Sequence, residues 1–392
     1  MRTMPPRYTD TSTLSMLRQQ LLAVLMCFLI AGCEAFSWGS DSSGQLGDGT
    51  IGGSRNAPGV SAAGFKWLVL TAGWNHTCGV RDDSTLWCWG DNNFGQLGLG
   101  YEDIDSAVPL QVGTASDWEQ VSASSQHTCG IRAGGQLWCW GRGTSGQLGD
   151  GLSTTSFVPV RVGTQSDWQE VSVGGFRFTC GIRGQGDLYC WGNNTNGQLG
   201  LGDYASRSTP TLLASSPWKG VNAGTRHACA IAATDLGYCW GDNTNEQISS
   251  DSDANYTTPV LVLGRTVSQV AAANNHSCFL YSTSNAWDGI IRCIGDDLGL
   301  LGSSKTDAVG CLNNPCEMFT TTPRFRFFDM GPDAACGIER GTNVLLCWGE
   351  GSNGTMGDGF NNSNLLPDDV LGARSWWSVS VGSNHVVALE NP

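Results

Sequence analysis

HTCGVRDDSTLWCWGDNNFGQLG, residues 76–98, returns as HTCGIRAGGQLWCWGRGTSGQLG at 127–149 and as FTCGIRGQGDLYCWGNNTNGQLG at 178–200. The Trp-Gly step within it marks a unit that can be followed along the chain. It stands at Trp38, Trp89, Trp140, Trp191, Trp240 and Trp348, with Ile294-Gly295 as a degenerate copy, at intervals of 51, 51, 51, 49, 54 and 54 residues. A second marker precedes each cysteine pair: Trp67, Trp118, Trp168 and Trp218, weaker copies at Val267 and Phe325, then Trp377. Two interleaved markers each count seven.

Short runs such as WEQVSAS, HTCGIRA, QLWCWG and VPVRV alternate with Gly, Asp, Ser and Asn, which predicts four strands per unit. Four-stranded units repeated at this period predict an all-β, seven-bladed β-propeller. The chain enters halfway through a unit (AFSWGSDSSGQLGDG) and leaves on the missing half (WWSVSVGSNHVVALENP). The N- and C-terminal strands are therefore expected to share one blade and close the ring, removing free sheet edges. One propeller is expected over 33–392, with an insertion at about 303–322.

Composition agrees with a turn-rich β protein: 54 Gly and 16 Trp, with 14% charged residues. The formal net charge of −14 disfavours nucleic acid and anionic lipid surfaces as partners. Residues 1–32 read as a signal peptide, with Met16 as a candidate start and an apolar core from Leu21 to Ile30. Ile30-Ala31-Gly32-Cys33 resembles a bacterial lipobox. On that reading Cys33 is lipidated and the protein is an exported, monomeric outer-membrane lipoprotein of a bacterial envelope, touching the membrane only through its anchor.

The repeats resemble those of the regulator of chromosome condensation family, with its G-x-x-H-[ST] step, Trp-Gly step and G-Q-L-G turn. The resemblance covers residues 36–392. It implies a propeller but no single activity, since the family includes a nuclear guanine-nucleotide exchange factor, a plant photoreceptor and a secreted bacterial enzyme inhibitor.

Twelve of the 16 cysteines form six in-unit pairs: Cys78/Cys88, Cys129/Cys139, Cys180/Cys190, Cys229/Cys239, Cys278/Cys293 and Cys336/Cys347. If each pair faces across a hairpin, five units set an apolar pair two residues further along the same face. Disulfides follow, each contributing at most about 2.5–3 kcal/mol in the chain-entropy model. Zinc would need four converging ligands, and each unit offers two. Cys311 and Cys316 are expected to staple the insertion, and Cys27 lies in the apolar leader.

All five histidines, His76, His127, His227, His276 and His385, share one repeat position, with Phe178 and Ala334 in the other two units. Packed sheets about 10 Å apart separate neighbouring imidazoles too far to share a metal. A structural hydrogen bond is the expectation, with no metal and no cofactor. The glycine turns lack the Lys-Ser/Thr of a phosphate loop. Trp74, in GWNHT, resembles the photoreceptor's tryptophan motif, but the equivalent places hold Ser125, Phe176, Thr225, Asn274, Pro332 and Ser383, so light sensing is set aside.

The functional expectation is a non-catalytic, envelope-anchored protein-binding scaffold with an unknown protein partner. Trp287, Asp296 and Asp297, near the insertion, are the candidate binding residues. Two alternatives stand beside it: exchange-factor-like activity on a small GTPase, and an envelope enzyme acting on glycans.

Overall fold

The computed structural model describes residues 33–214, 217–250, 252, 254–282, 288–295, 316–317 and 323–391. Blade 1 comprises, from the channel outwards, Trp67–Ala72, His76–Arg81, Leu86–Gly90 and Ser106–Gln111. Blade 2 is Trp118–Ala123, His127–Arg132, Gln136–Gly141 and Ser156–Arg161. Blade 3 is Trp168–Gly174, Phe178–Arg183, Asp187–Gly192 and Arg207–Ala214. Blade 4 opens with Trp218–Ala223, His227–Ala232 and Leu236–Gly241. Its outer strand is the first half of Tyr256–Ala272, whose second half becomes the inner strand of blade 5. Blade 5 continues with His276–Tyr281, Ile291–Gly295 and Cys316–Glu317. Blade 6 is Phe325–Met330, Ala334–Glu339, Leu345–Gly349 and Asn364–Asp369.

Blade 7 is built from both ends of the described chain. Its outer strands are Ser54–Val60 and Ala35–Ser40, and its inner strands are His385–Glu390 and Trp376–Val381. The closing register runs from Ala35 opposite Leu389 to Gly39 opposite His385. The protein is an all-β propeller of four-stranded antiparallel blades, closed by its terminal strands. One marker sits a residue away from its sequence reading. Trp376, not Trp377, occupies the last repeat position, buried against Phe36 and Trp38, while Trp377 lines the channel.

The recurring motifs are explained by contacts between blades. Trp89, Trp140, Trp191 and Trp240 donate Nε1–H to the carbonyls of Gln45, Gln96, Gln147 and Gln198 in the preceding blade's glycine turn, each at 2.9 Å. The last glycine of that turn lies under the indole. A Cβ on Gly98 would come within 2.7 Å of Trp140 Nε1, and its φ of +73° is one that side chains rarely adopt. In the fifth Trp-Gly unit this glycine is Ser249 and the tryptophan that would cover it is Ile294. The two halves of the contact have been lost together.

Outer strands carry a proline at one repeat position: Pro58, Pro109, Pro159, Pro210, Pro259 and Pro367. Proline cannot donate to an added strand, so these edges resist sheet extension. Within blades 1 to 6, disulfides join the second and third strands: Cys78–Cys88, Cys129–Cys139, Cys180–Cys190, Cys229–Cys239, Cys278–Cys293 and Cys336–Cys347. Beside them Val80 faces Leu86, and in blade 4 Ile231 faces Gly237.

The lipidation reading of Cys33 is corrected by its surroundings. Cys33 is fully buried and disulfide-bonded, and its backbone pairs with Trp67 in both directions, at 3.2 and 3.0 Å. A sulfur held in a disulfide inside the core has no thiol to acylate and no path to a membrane.

Candidate functional site

The innermost strands enclose a channel. One end widens into a cavity of about 400 Å³, walled by apolar side chains such as Leu68, Val121, Phe327 and Trp377 and by the carboxyl groups of Glu170 and Asp329. The other end is a shallower mouth of about 140 Å³ where Trp74 sits. Arg326 also lines the larger cavity, held by the Trp376 and Trp377 carbonyls at 2.7 and 2.9 Å.

The wall is made of one repeated bond. Four residues after the inner-strand marker, six of the blades carry a polar side chain that accepts the backbone N–H of the next blade. Thr71 accepts from Ala123, Ser122 from Val173, Ser172 from Ala223, Asn222 from Ala272, Asp329 from Val381 and Ser380 from Ala72, at 2.8–3.3 Å. Ala271 holds this place in blade 5 and has no polar group to continue the belt. Two residues earlier a second belt is partial: Gln120 accepts from Val171, Glu170 from Val221 and Gln269 from Phe328. Burial pushes the Glu170 carboxyl up to about 8, against the Val221 N–H, and pushes Asp329 up to about 6.

The histidines form a third belt deeper in the ring. His76, His127, His227 and His385 place Nε2 at 2.8–2.9 Å from the hydroxyls of Thr128, Thr179, Ser277 and Thr77 in the following blade. Each hydroxyl donates to a glycine-turn carbonyl, Thr128 to Gln96 for instance. The hydroxyl must then accept from the ring, which assigns the proton to Nε2. Burial drives these imidazoles down to about 3 or 4, so they are neutral. Where blade 3 has Phe178, blade 4 has Ala228, and where blade 6 has Ala334, blade 7 has Val386. The histidine and its partner are exchanged as a pair. His276 is the exception, facing Ala335 in blade 6, and neither of its nitrogens has a partner. Among the described residues, no three His, Cys, Asp or Glu side chains gather as metal ligands would.

Trp287, Asp296, Asp297 and Cys311, named from the sequence, lie outside the described residues, as does the leader 1–32. Backbone pairing sets Cys316 opposite Cys293. Glu170 was missed by sequence reading, although its signal was available: it is a carboxylate at an inner-strand place where other units carry Val69, Gln120, Gly220, Gln269, Phe327 and Ser378.

A closed ring of four-stranded blades, joined blade to blade by repeat-position side chains around a lined channel, defines a repeat propeller. The chain belongs to the regulator of chromosome condensation (RCC1) repeat family, whose repeat model matches residues 83–131, 134–180, 185–231, 238–280 and 343–389. It is 32% identical over 185 residues to the ultraviolet-B receptor UVR8 of Arabidopsis thaliana, covering 46% of this chain and 42% of that receptor. It is 27% identical over 206 residues to the human E3 ubiquitin-protein ligase HERC2, covering 49% of this chain and 4% of that ligase. The chain thus spans less than half the length of either relative. In structure it is similar to yeast RCC1 (Prp20), with a TM-score of 0.81, 19% identity and coverage of 100% and 95% of the two chains. Human WBSCR16 gives a TM-score of 0.76 at 20% identity, covering 92% and 99%.

These relatives are plant, yeast and human proteins, and none is described as a lipid-anchored envelope protein. Together with the buried, bonded sulfur of Cys33, they correct the reading of the chain as a bacterial outer-membrane lipoprotein held to a membrane by an anchor.

Proposed function

We propose that the chain is a protein-binding propeller that works by docking rather than by catalysis. The observation that carries this reading is the rim. Ile51, Tyr101, Leu152, Tyr204 and Phe360 are exposed on the loops after the third strands. Each loop is tied to the outer strand of the next blade through one glycine N–H: Gly49 to Ala107, Gly100 to Phe157, Gly151 to Ser208, Gly202 to Thr257 and Gly359 to Asn56. The apolar tips stand close in sequence to Asp48, Asp103, Asp150, Asp203 and Asp358. An apolar residue beside a carboxylate, repeated round one edge, suits a partner surface that mixes basic and apolar side chains. A yeast relative in fold, Prp20p, is described by its binding to Gsp1p and histones, which supplies partners to try.

The test is calorimetric titration of purified core histones and of a Gsp1p-type GTPase into this chain. Combined Ile51→Asp, Leu152→Asp and Phe360→Asp should weaken binding at least tenfold with the melting temperature unchanged. Undiminished binding by that variant would remove the rim reading. The second reading is exchange-factor activity, favoured by the likeness to yeast RCC1 over the whole chain. It requires at least tenfold acceleration of labelled GDP release from the GTPase, and binding without acceleration leaves the scaffold alone.

A further inference from the structure

Glu170 is the anomaly of the channel. Its place in blades 2 and 5 is filled by Gln120 and Gln269. Gln269 uses both ends of its amide, accepting from the Phe328 N–H and donating to the Phe328 carbonyl. Glu170 accepts from the Val221 N–H at 3.2 Å, and its other oxygen, Oε2, is buried with no partner. The residue is only 4% exposed, yet it lies on the wall of the 400 Å³ cavity. The Gln269 amide satisfies both of its ends and the Glu170 carboxyl does not, so a buried acceptor is left unmet on a residue of this half-apolar cavity wall. An unmet buried acceptor costs about 1–3 kcal/mol, more if charged.

We propose that this cavity binds a small primary ammonium compound with an apolar body, its ammonium group on the Glu170 carboxylate and its body against Val121, Phe327 and Trp377. The volume falls in the range of small-molecule sites. Asp329 on the same wall adds a second carboxyl group, and the hydroxyls of Ser122 and Ser172 stand beside the site. An ammonium carries three donors and seeks acceptors, which this wall supplies. Among the described residues, no third carboxylate, imidazole or thiolate gathers with Glu170 and Asp329 to complete a metal site.

Binding also predicts proton release. Burial holds Glu170 largely protonated at pH 7, and an ammonium on its carboxylate requires the ionised form. The charged groups on the packed elements are Glu119 and Arg132 of blade 2, Arg183 of blade 3 and Lys219 of blade 4. Arg132, Arg183 and Lys219 are paired with Asp117, Asp167 and Asp235, and Arg326 and Asp329 lie on blade 6 of the cavity wall. His127 in blade 2 is buried and neutral.

The experiment titrates hexylammonium into the intact protein, with hexanol and hexanoate as controls. Calorimetry at pH 7 in phosphate and in Tris reads the proton count. Hexylammonium should bind at least tenfold more tightly than hexanol, release close to one proton, and gain up to about tenfold in affinity per pH unit below 8. Glu170→Gln copies the arrangement of blades 2 and 5, so it should fold at least as well while losing hexylammonium binding tenfold or more. Equal binding of hexanol and hexylammonium, no proton release, or full binding by Glu170→Gln would each overturn the proposal.

Discussion

Blade 7 and the six blades between its two halves have the same register, but among the described residues only blade 7 has no disulfide between its second and third strands. In blade 1 Cys78 faces Cys88, and at the matching place in blade 7 Val387 faces Ser37. The disulfides of blades 1 to 6 close short loops inside a single hairpin, where little chain entropy is at stake. Blade 7 joins strands from opposite ends of the chain, where the entropy of closure is largest, and its second and third strands meet through backbone bonds and packing. The chain is stapled where stapling helps least. The difference teaches that the six in-blade disulfides rigidify blades and do not span the closure of the ring.

The largest predicted effect follows from supplying the missing bond. Ser37→Cys with Val387→Cys should form a disulfide at the same register as Cys78–Cys88, closing a loop of roughly 350 residues. The chain-entropy model gives about 6 kcal/mol for a loop of that length. About 1 kcal/mol is lost with the Ser37 hydroxyl bond to the Leu46 carbonyl. The urea midpoint of the oxidised variant should lie well above that of the parent, and the gap between the two should close when both are measured in reductant. An unchanged midpoint in the oxidised variant would show that blade 7 does not limit stability.

Next in size are the indoles. Trp38→Ala and Trp140→Ala each remove a fully buried side chain and its bond to the preceding turn, at a cost of about 3–5 kcal/mol. The comparison between them is sharper than either value. Trp38 lies on the closing strand, so its loss should raise hydrogen exchange across Ala35–Ser40 well before global unfolding. Loss of Trp140 should leave that strand protected. Smaller again is the removal of one staple. Cys129→Ser with Cys139→Ser should cost at most about 3 kcal/mol in thermal unfolding and leave exchange in blade 7 unchanged.

The architecture was legible because it is written seven times, and errors of a residue in one unit are averaged by the others. Trp377 shows the limit: two adjacent tryptophans gave no period of their own, and only packing against Phe36 selects Trp376. The Cys33 reading failed because four residues of a local motif carry no information about what the sulfur meets in the fold. The channel was legible only in part. Thr71, Ser122, Ser172 and Asn222 look like ordinary strand residues, and their role exists only between blades about 50 residues apart. Glu170 stands out in the sequence only after the inner strands are aligned to the channel.

The histidine belt allows a smaller and more discriminating change. Thr128→Ala alone leaves the His76 Nε2–H buried without an acceptor, at a cost of about 1–3 kcal/mol. His76→Phe with Thr128→Ala recreates the apolar exchange seen at Phe178 and Ala228, and Gly73 leaves room beside the ring as Gly174 does beside Phe178. The double variant should lie within about 1 kcal/mol of the parent, because both polar partners leave together. It should also flatten the acid limb. Burial, then the neighbouring His385 and His127, holds His76 at about 3 when folded, against 6.5 for the free side chain. Between those values the unfolded chain binds more protons, so stability is fully present above pH 6.5 and falls as pH drops toward 3. One such histidine contributes a slope of up to about 1.4 kcal/mol per pH unit in that window. Urea midpoints at pH 7 and pH 4.5 measure it: the double variant should lose less between them than the parent, and an equal loss would mean that His76 does not titrate with unfolding.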